Sequence, residues 1–172
     1  EPDLLIASTH ARSGLARFLF GSVAEGVARN LRAPTLLLPL GGPQLADAST
    51  GALRLARLLL PVSNARDAQT AVDAAVTFAR LARCDDPELV LLHVDDGSAA
   101  PEVQVPAGFR AQRRAAPAPI DRAIQQAAEE LQPDLVVMVT HGHDAARDVV
   151  LSSHTERVLH NCRRPLLWVP AV

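Results

Sequence analysis

One stretch of this chain occurs twice, at residues 2 to 39 and 133 to 170, with corresponding positions always 131 residues apart. The first copy runs from Pro2-Asp3-Leu4-Leu5-Ile6-Ala7-Ser8-Thr9-His10 through Gly21-Ser22-Val23-Ala24-Glu25 to Pro34-Thr35-Leu36-Leu37-Leu38-Pro39. The second runs from Pro133-Asp134-Leu135-Val136-Val137-Met138-Val139-Thr140-His141 through Ser152-Ser153-His154-Thr155-Glu156 to Pro165-Leu166-Leu167-Trp168-Val169-Pro170. A gapless repeat is a strong constraint, because any local structure one copy adopts must also suit the other. Each copy opens and closes on a short apolar run without helical spacing, the pattern of a strand, with a polar turn and a periodic segment between. The periodic segment begins at Ser22 or Ser153, and Glu25 or Glu156 follows three residues later, which is the capping-box pattern of a helix start. It stops ahead of Pro34 or Pro165. Each copy therefore reads strand, loop, helix, strand.

Between the copies, residues 41 to 53 are rich in turn formers and small residues, a linker composition. Leu58 to Val62 is then a buried-strand candidate ending in Ser63-Asn64. Asn64 with Asp67 predicts a helix cap, and Ala68, Ala71, Val72, Ala75, Ala79 and Ala82 form one apolar stripe at helical spacing. Leu89-Val90-Leu91-Leu92-His93-Val94 reads as the unbroken apolar run of a central parallel strand, and Asp95-Asp96-Gly97 closes it. From Ser98 to Pro119 no periodicity is sustained; a short strand from Phe109 to Ala115 is expected, with any preceding helix short or missing. Ile120, Ala123, Ile124, Ala127, Ala128 and Leu131 restore helical spacing, and residues 134 to 140 predict the strand that opens the second copy.

Strands alternating with helices imply right-handed crossovers and a doubly wound α/β parallel sheet. The organisation expected is a partial first domain at 1–40, a linker at 41–53 and a complete domain at 54–172. A parallel sheet needs cover on both faces, so the partial copy is expected to be a fragment of a longer tandem protein, to lean on the second domain, or to belong to a chain whose beginning was removed. Glu1 in place of an initiator methionine fits the first alternative.

Residues 3 to 25, Asp-Leu-Leu-Ile-Ala-Ser-Thr-His-Ala-Arg-Ser-Gly-Leu-Ala-Arg-Phe-Leu-Phe-Gly-Ser-Val-Ala-Glu, resemble the C-terminal signature of the universal stress protein family. The resemblance implies a small α/β nucleotide-binding-like domain, often ATP-binding, usually dimeric and often in tandem. It implies five parallel strands in the order 3-2-1-4-5 with flanking helices, plus a partial copy of the same fold at the N-terminus. The switch point then lies between strands 1 and 4, where ligands bind at the carboxyl ends of strands. The family's nucleotide signature is Gly-x2-Gly-x9-Gly-Ser/Thr, in which glycines let backbone amides approach phosphates at a helix N-terminus. Carried over by position, the first copy has Ser8, Ala11, Gly21 and Ser22, with Val23 next on the helix, so only the final Gly-Ser pair matches. The second has Val139, Gly142, Ser152 and Ser153, matching at the middle glycine and the last serine. The place of the family's adenosine-holding aspartate, after strand 1, is taken by Ser63, following Pro61 and Val62. Val139 is β-branched where the pattern has glycine. ATP or AMP is thus the implied ligand, with weak binding expected. Ser22 and Ser153 would cap their helices with or without it, and a cap and a phosphate contact can coexist.

With 172 residues, 48% of them hydrophobic, and a net charge of -2, the chain offers the core of one domain and part of another, and no basic surface for nucleic acid. All 17 basic residues are arginine, which reads as coding bias. No apolar run approaches the ~20 residues that span a bilayer, and no signal-peptide pattern follows Glu1, so the cytoplasm is expected. Cys84 and Cys162 lack metal or redox spacing and are expected to be free thiols. His10, His141, His143 and His154 have no confirming carboxylate or thiolate spacing and read as loop polarity, without a metal. Arg110, Arg113 and Arg114 form a short basic cluster that could meet an anion and reads more simply as a solvated loop, and Trp168 reads as either core packing or an interface anchor. No nucleophile, base and orienter set is present, so no enzyme is expected. The resemblance further implies that residues 34 to 40 and 165 to 170 face each other, within one chain or between chains, as the route of self-association, with an unidentified protein partner beyond that. The expectation for function is a universal-stress-type regulatory or interaction module in stress response with degenerate adenine-nucleotide binding. The alternative is a competent ATP-binding member that uses Gly21-Ser22, with slow hydrolysis.

Overall fold

A computed structural model describes residues 2–9, 33–39, 41–95, 97–117, 119–140 and 162–171. Its centre is the strand β3, Arg57–Val62, in which Leu58, Leu59 and Leu60 are all fully buried. Consecutive leucines alternate between the two faces of a sheet, so burying all of them requires cover on both sides. Two helices supply it. One is α1, Ala65–Leu81, whose Ala68, Ala71, Val72, Ala75 and Val76 pack in one cluster with Leu58, Leu60, Leu135 and Val137. The other is α2, Ile120–Leu131, whose Ile124, Ala127 and Ala128 pack on the opposite face with Leu59, Val90 and Val136. Alanine dominates both contact stripes, and its small side chain lets each helix axis come close to the sheet.

The other strands are β1, Leu5–Thr9; β2, Thr35–Pro39; β4, Glu88–Asp95; β5, Arg110–Pro117; β6, Leu135–Thr140; and β7, Leu166–Pro170. They form one seven-stranded sheet in the order β1-β2-β7-β6-β3-β4-β5. Within it β7-β6-β3-β4-β5 are all parallel and have the predicted 3-2-1-4-5 order. The correction concerns the remainder. The first copy's strands continue the same sheet, because β2 pairs antiparallel with β7, Thr35 opposite Trp168, Leu36 opposite Leu167 and Leu37 opposite Leu166. Residues 34 to 40 and 165 to 170, expected to face each other, do so within this chain in the interior of the sheet, and among the described residues its edges are β1 and β5.

Local chemistry sets the element ends. The Asn64 carboxamide oxygen accepts the Asp67 amide at 2.9 Å, and its nitrogen donates back to the Asp67 carboxylate, a reciprocal cap at the start of α1. At the other end the Cys84 amide donates to Ala79 and the Arg83 amide to Arg80, both at 3.0 Å, with Arg83 left-handed at φ 54. That is a complete Schellman motif built on a non-glycine residue. The α2 helix closes at Gln132, left-handed at φ 49, ahead of Pro133.

The strand expected from Phe109 to Ala115 is present as β5, which pairs with β4 along its whole length from Arg110 opposite Glu88 to Pro117 opposite Asp95, so Arg110, Arg113 and Arg114, read as a solvated loop, sit on an edge strand. The linker candidate is a closed turn: Ala46 bridges Leu53, the Asp47 carboxylate accepts the Ser49 and Thr50 amides, and Leu45 and Leu55 are buried at either end.

Candidate functional site at the β3 and β6 carboxyl ends

The chain winds from β3 outward through β4 and β5, then returns past β3 to β6 and β7. The reversal falls between β3 and β6, and the crevice beyond their carboxyl ends is where such sheets hold ligands. Proline shapes it here. Residues Arg57, Leu59 and Pro61 turn their backbone toward β6, as the Asp134 amide bonding to the Arg57 carbonyl at 2.9 Å shows. Pro61 has no N–H to give, and the ladder between β3 and β6 comprises Leu58 opposite Leu135 and Leu59 opposite Val136. On the other side β3 stays paired with β4 out to Val62 opposite His93. The two strands thus part company just before the candidate residues.

Pro61 is half-buried, Val62 is buried and Ser63 is exposed. Val139, half-buried on β6, packs against the cluster that contains Val62, so the crevice floor is apolar. Among the described residues the polar atoms at its mouth are the Ser63 hydroxyl and the Asn64 carboxamide, whose nitrogen lies 3.5 Å from the Ser63 oxygen. Asp67, buried on the first turn of α1, adds a carboxylate where an anion-binding helix start would present free amides. Ser8 is exposed at the end of β1, separated from β6 by β2 and β7, so the structure does not bring it together with Val139. Ala11, Gly21, Ser22, Val23, Gly142, Ser152 and Ser153 lie outside the described residues, as do His10, His141, His143 and His154.

Sequence reasoning passed over His93. Its ring is buried on β4, with Nδ1 3.4 Å from the Val62 carbonyl oxygen and Nε2 3.2 Å from that of Ser98. A neutral imidazole donates from one nitrogen only, so the tautomer decides which carbonyl is bonded. The signal was a lone polar residue inside Leu89-Val90-Leu91-Leu92-His93-Val94. Asp67 was recognised as part of a cap but not as a buried charge beside the crevice.

Burial pushes the thiols of Cys84 and Cys162 up from their ordinary value, which holds both as neutral thiols. Among the described residues no group of His, Cys, Asp and Glu could hold a metal ion, and no helix is long and apolar enough to cross a membrane.

The universal stress protein family profile matches residues 1–39 and 109–170, more than half of the chain. The chain belongs to the universal stress protein family. A universal stress protein from Archaeoglobus fulgidus superposes with a TM-score of 0.71 at 19% identity, over 98% of this chain and 61% of the other. A functionally unknown protein from Pseudomonas aeruginosa PAO1 superposes with a TM-score of 0.56 at 14% identity, over 98% of this chain and 63% of its own. A universal stress protein solved in complex with cAMP superposes with a TM-score of 0.50 at 17% identity, over 69% and 98%. This universal stress protein chain thus spans about three-fifths of the length of the first two. No curated protein matches it by sequence.

Proposed function

We propose that this protein is a universal-stress-type regulatory and interaction module whose crevice binds adenine nucleotide weakly at most, and that it is not an enzyme. The observation that carries this reading is the state of the β3 end, where Ser63 offers only a hydroxyl and the first turn of α1 is already closed by Asn64 and the buried Asp67. A nucleotide arriving there meets an apolar floor, a self-satisfied helix start and a carboxylate of its own sign. Losing a charged hydrogen-bond partner costs roughly 1.5–3 kcal/mol, enough to weaken binding about 10-fold to 100-fold by the conversion of 1.4 kcal/mol per decade.

The competing reading is a working ATP site built on Gly21-Ser22. It has in its favour the intact Gly-Ser pair and the cAMP complex of a fold neighbour. Calorimetric titration with magnesium and ATP, then AMP, separates the two. Absent or millimolar binding supports the module; saturable micromolar binding that disappears in Ser22→Ala establishes the competing site.

A further inference from the structure

The outer side of β5 is an open ladder. The Glu88 amide donates to the Ala56 carbonyl at 2.9 Å, so Glu88 turns its peptide groups to β3, and Leu89, Leu91 and His93 turn theirs to β5. Bonds between parallel strands alternate along each strand. With Arg110 opposite Glu88, it is Arg110, Gln112, Arg114 and Ala116 that bond to β4, while the peptide groups of Ala111, Arg113 and Ala115 turn outward. Pro117 takes the next outward place, where a missing N–H breaks no bond to β4. The pairing with β4 is continuous, and no other strand lies beside β5 among the described residues.

The side chains divide in the same way. Ala116 packs on the α2 side and Arg114 meets Glu130 of α2 at 3.5 Å, so Ala111, Arg113 and Ala115 project on the α1 side. Alanine before and after Arg113 leaves the outward peptide groups uncovered. Arg110 is paired with Asp86 at 3.2 Å, whereas Arg113 is exposed and makes no hydrogen bond or ion pair among the described residues. The three arginines against Asp86 and Glu130 thus leave one uncompensated cation at the middle of the open ladder. Charge and proline guard an edge against like strands. A second β5 would bring arginine against arginine, and β1, Leu-Ile-Ala-Ser-Thr, would bring no carboxylate. An acidic strand meets neither obstacle. We infer that β5 is a docking edge for an extended acidic peptide of another protein, held by main-chain bonds to Ala111, Arg113 and Ala115 with a carboxylate directly opposite Arg113. In either direction of pairing the residue opposite puts its side chain on the same face, where a guanidinium takes a carboxylate through two N–H groups.

The probe is a capped peptide as long as β5, threonine alternating with glutamate, added to the full chain, with amide hydrogen exchange as the readout. At about 90% saturation the amides of Ala111, Arg113 and Ala115 are expected to exchange about 10-fold more slowly, because only the unbound fraction exchanges freely; those of Gln112 and Arg114, already bonded to β4, change less. Arg113→Glu is expected to abolish this protection and to transfer it to the peptide with lysine in place of glutamate, which also shows that the variant is folded. Unchanged exchange with the glutamate peptide overturns the inference, as does protection that survives Arg113→Glu. Equal slowing by the lysine peptide on the unaltered chain, or slowing by the glutamate peptide N-methylated throughout, overturns it by showing contact without charge selection or without a ladder. Protection that rises with protein concentration in the absence of peptide overturns it by assigning the edge to a second copy.

Discussion

Asp134 shows how much one carboxylate can organise. One of its oxygens takes the amides of Ala56 and Arg57, while Arg57 itself bonds Glu88 at 2.7 Å and the Leu131 carbonyl at 2.8 Å. The starts of β3, β4 and β6 and the end of α2 are thereby joined at the edge of the sheet opposite the crevice. Asp134→Ala leaves two amides without their acceptor, and the expected loss is about 2–4 kcal/mol, read from urea denaturation; Asp134→Asn keeps an oxygen and recovers part of it. Asp47 gives a pH-dependent counterpart. The Ser49 hydroxyl, the Ser49 and Thr50 amides and Arg54 hold its carboxyl well below the ordinary 3.8. A depressed folded value means that the stabilisation is present above the ordinary carboxylate range and lost as the pH falls through it. The Ser49 and Thr50 amide resonances are expected to stay fixed above about pH 5 and to shift together toward exposed positions only in stronger acid; movement near pH 6 would show that the turn is held otherwise.

At the scale of elements, the helices were legible because alanine and isoleucine recur every three or four residues, and the central strands because leucine and valine run unbroken. The stretch from Ser98 to Phe109 was not, since nothing in its own pattern reports what fixes it. Gln69 on α1 does so from a distance, its carboxamide donating to the Gln104 carbonyl at 3.1 Å and accepting the Gln104 amide at 2.8 Å. Val103 and Val105 then pack against the core as an extended segment rather than a helix. Two element boundaries invite mutation. Arg83 occupies the left-handed position that ends α1, which costs an L-residue roughly 1–2 kcal/mol; Arg83→Gly is expected to raise the stability by about 0.5–1 kcal/mol, the glycine's own entropy taking back the rest. Gly42 lies where a Cβ would come within 2.7 Å of the Arg163 carbonyl oxygen and 3.1 Å of that of Pro39. Gly42→Ala forces backbone apart and is expected to cost about 1–3 kcal/mol, measured as a lower urea midpoint; an unchanged midpoint would mean that this approach is not held in solution.

At the scale of the molecule, the repeat predicted the parallel winding and, by resemblance, the order of five strands. The resemblance also implied that residues 34 to 40 face 165 to 170, but it left open whether they meet within one chain or between chains, because an apolar strand pairs equally well with either; β2 and β7 meet within one chain and so continue one sheet. The crevice was half legible. Ser63 and Val139 are positions any sequence comparison can mark, whereas the parting of β3 from β6 follows from Pro61 facing one particular neighbour, and Asp67 from a helix start that closes on itself. Together these are the features of the switch point on which the proposal of weak nucleotide binding rests. The most direct measurement is an AMP and magnesium-ATP titration followed at the amides of Val62, Ser63, Asn64 and Val139. Small shifts in fast exchange that do not saturate below millimolar ligand are the expected result, while slow exchange with saturation at micromolar ligand at those same amides would contradict this reading of the crevice.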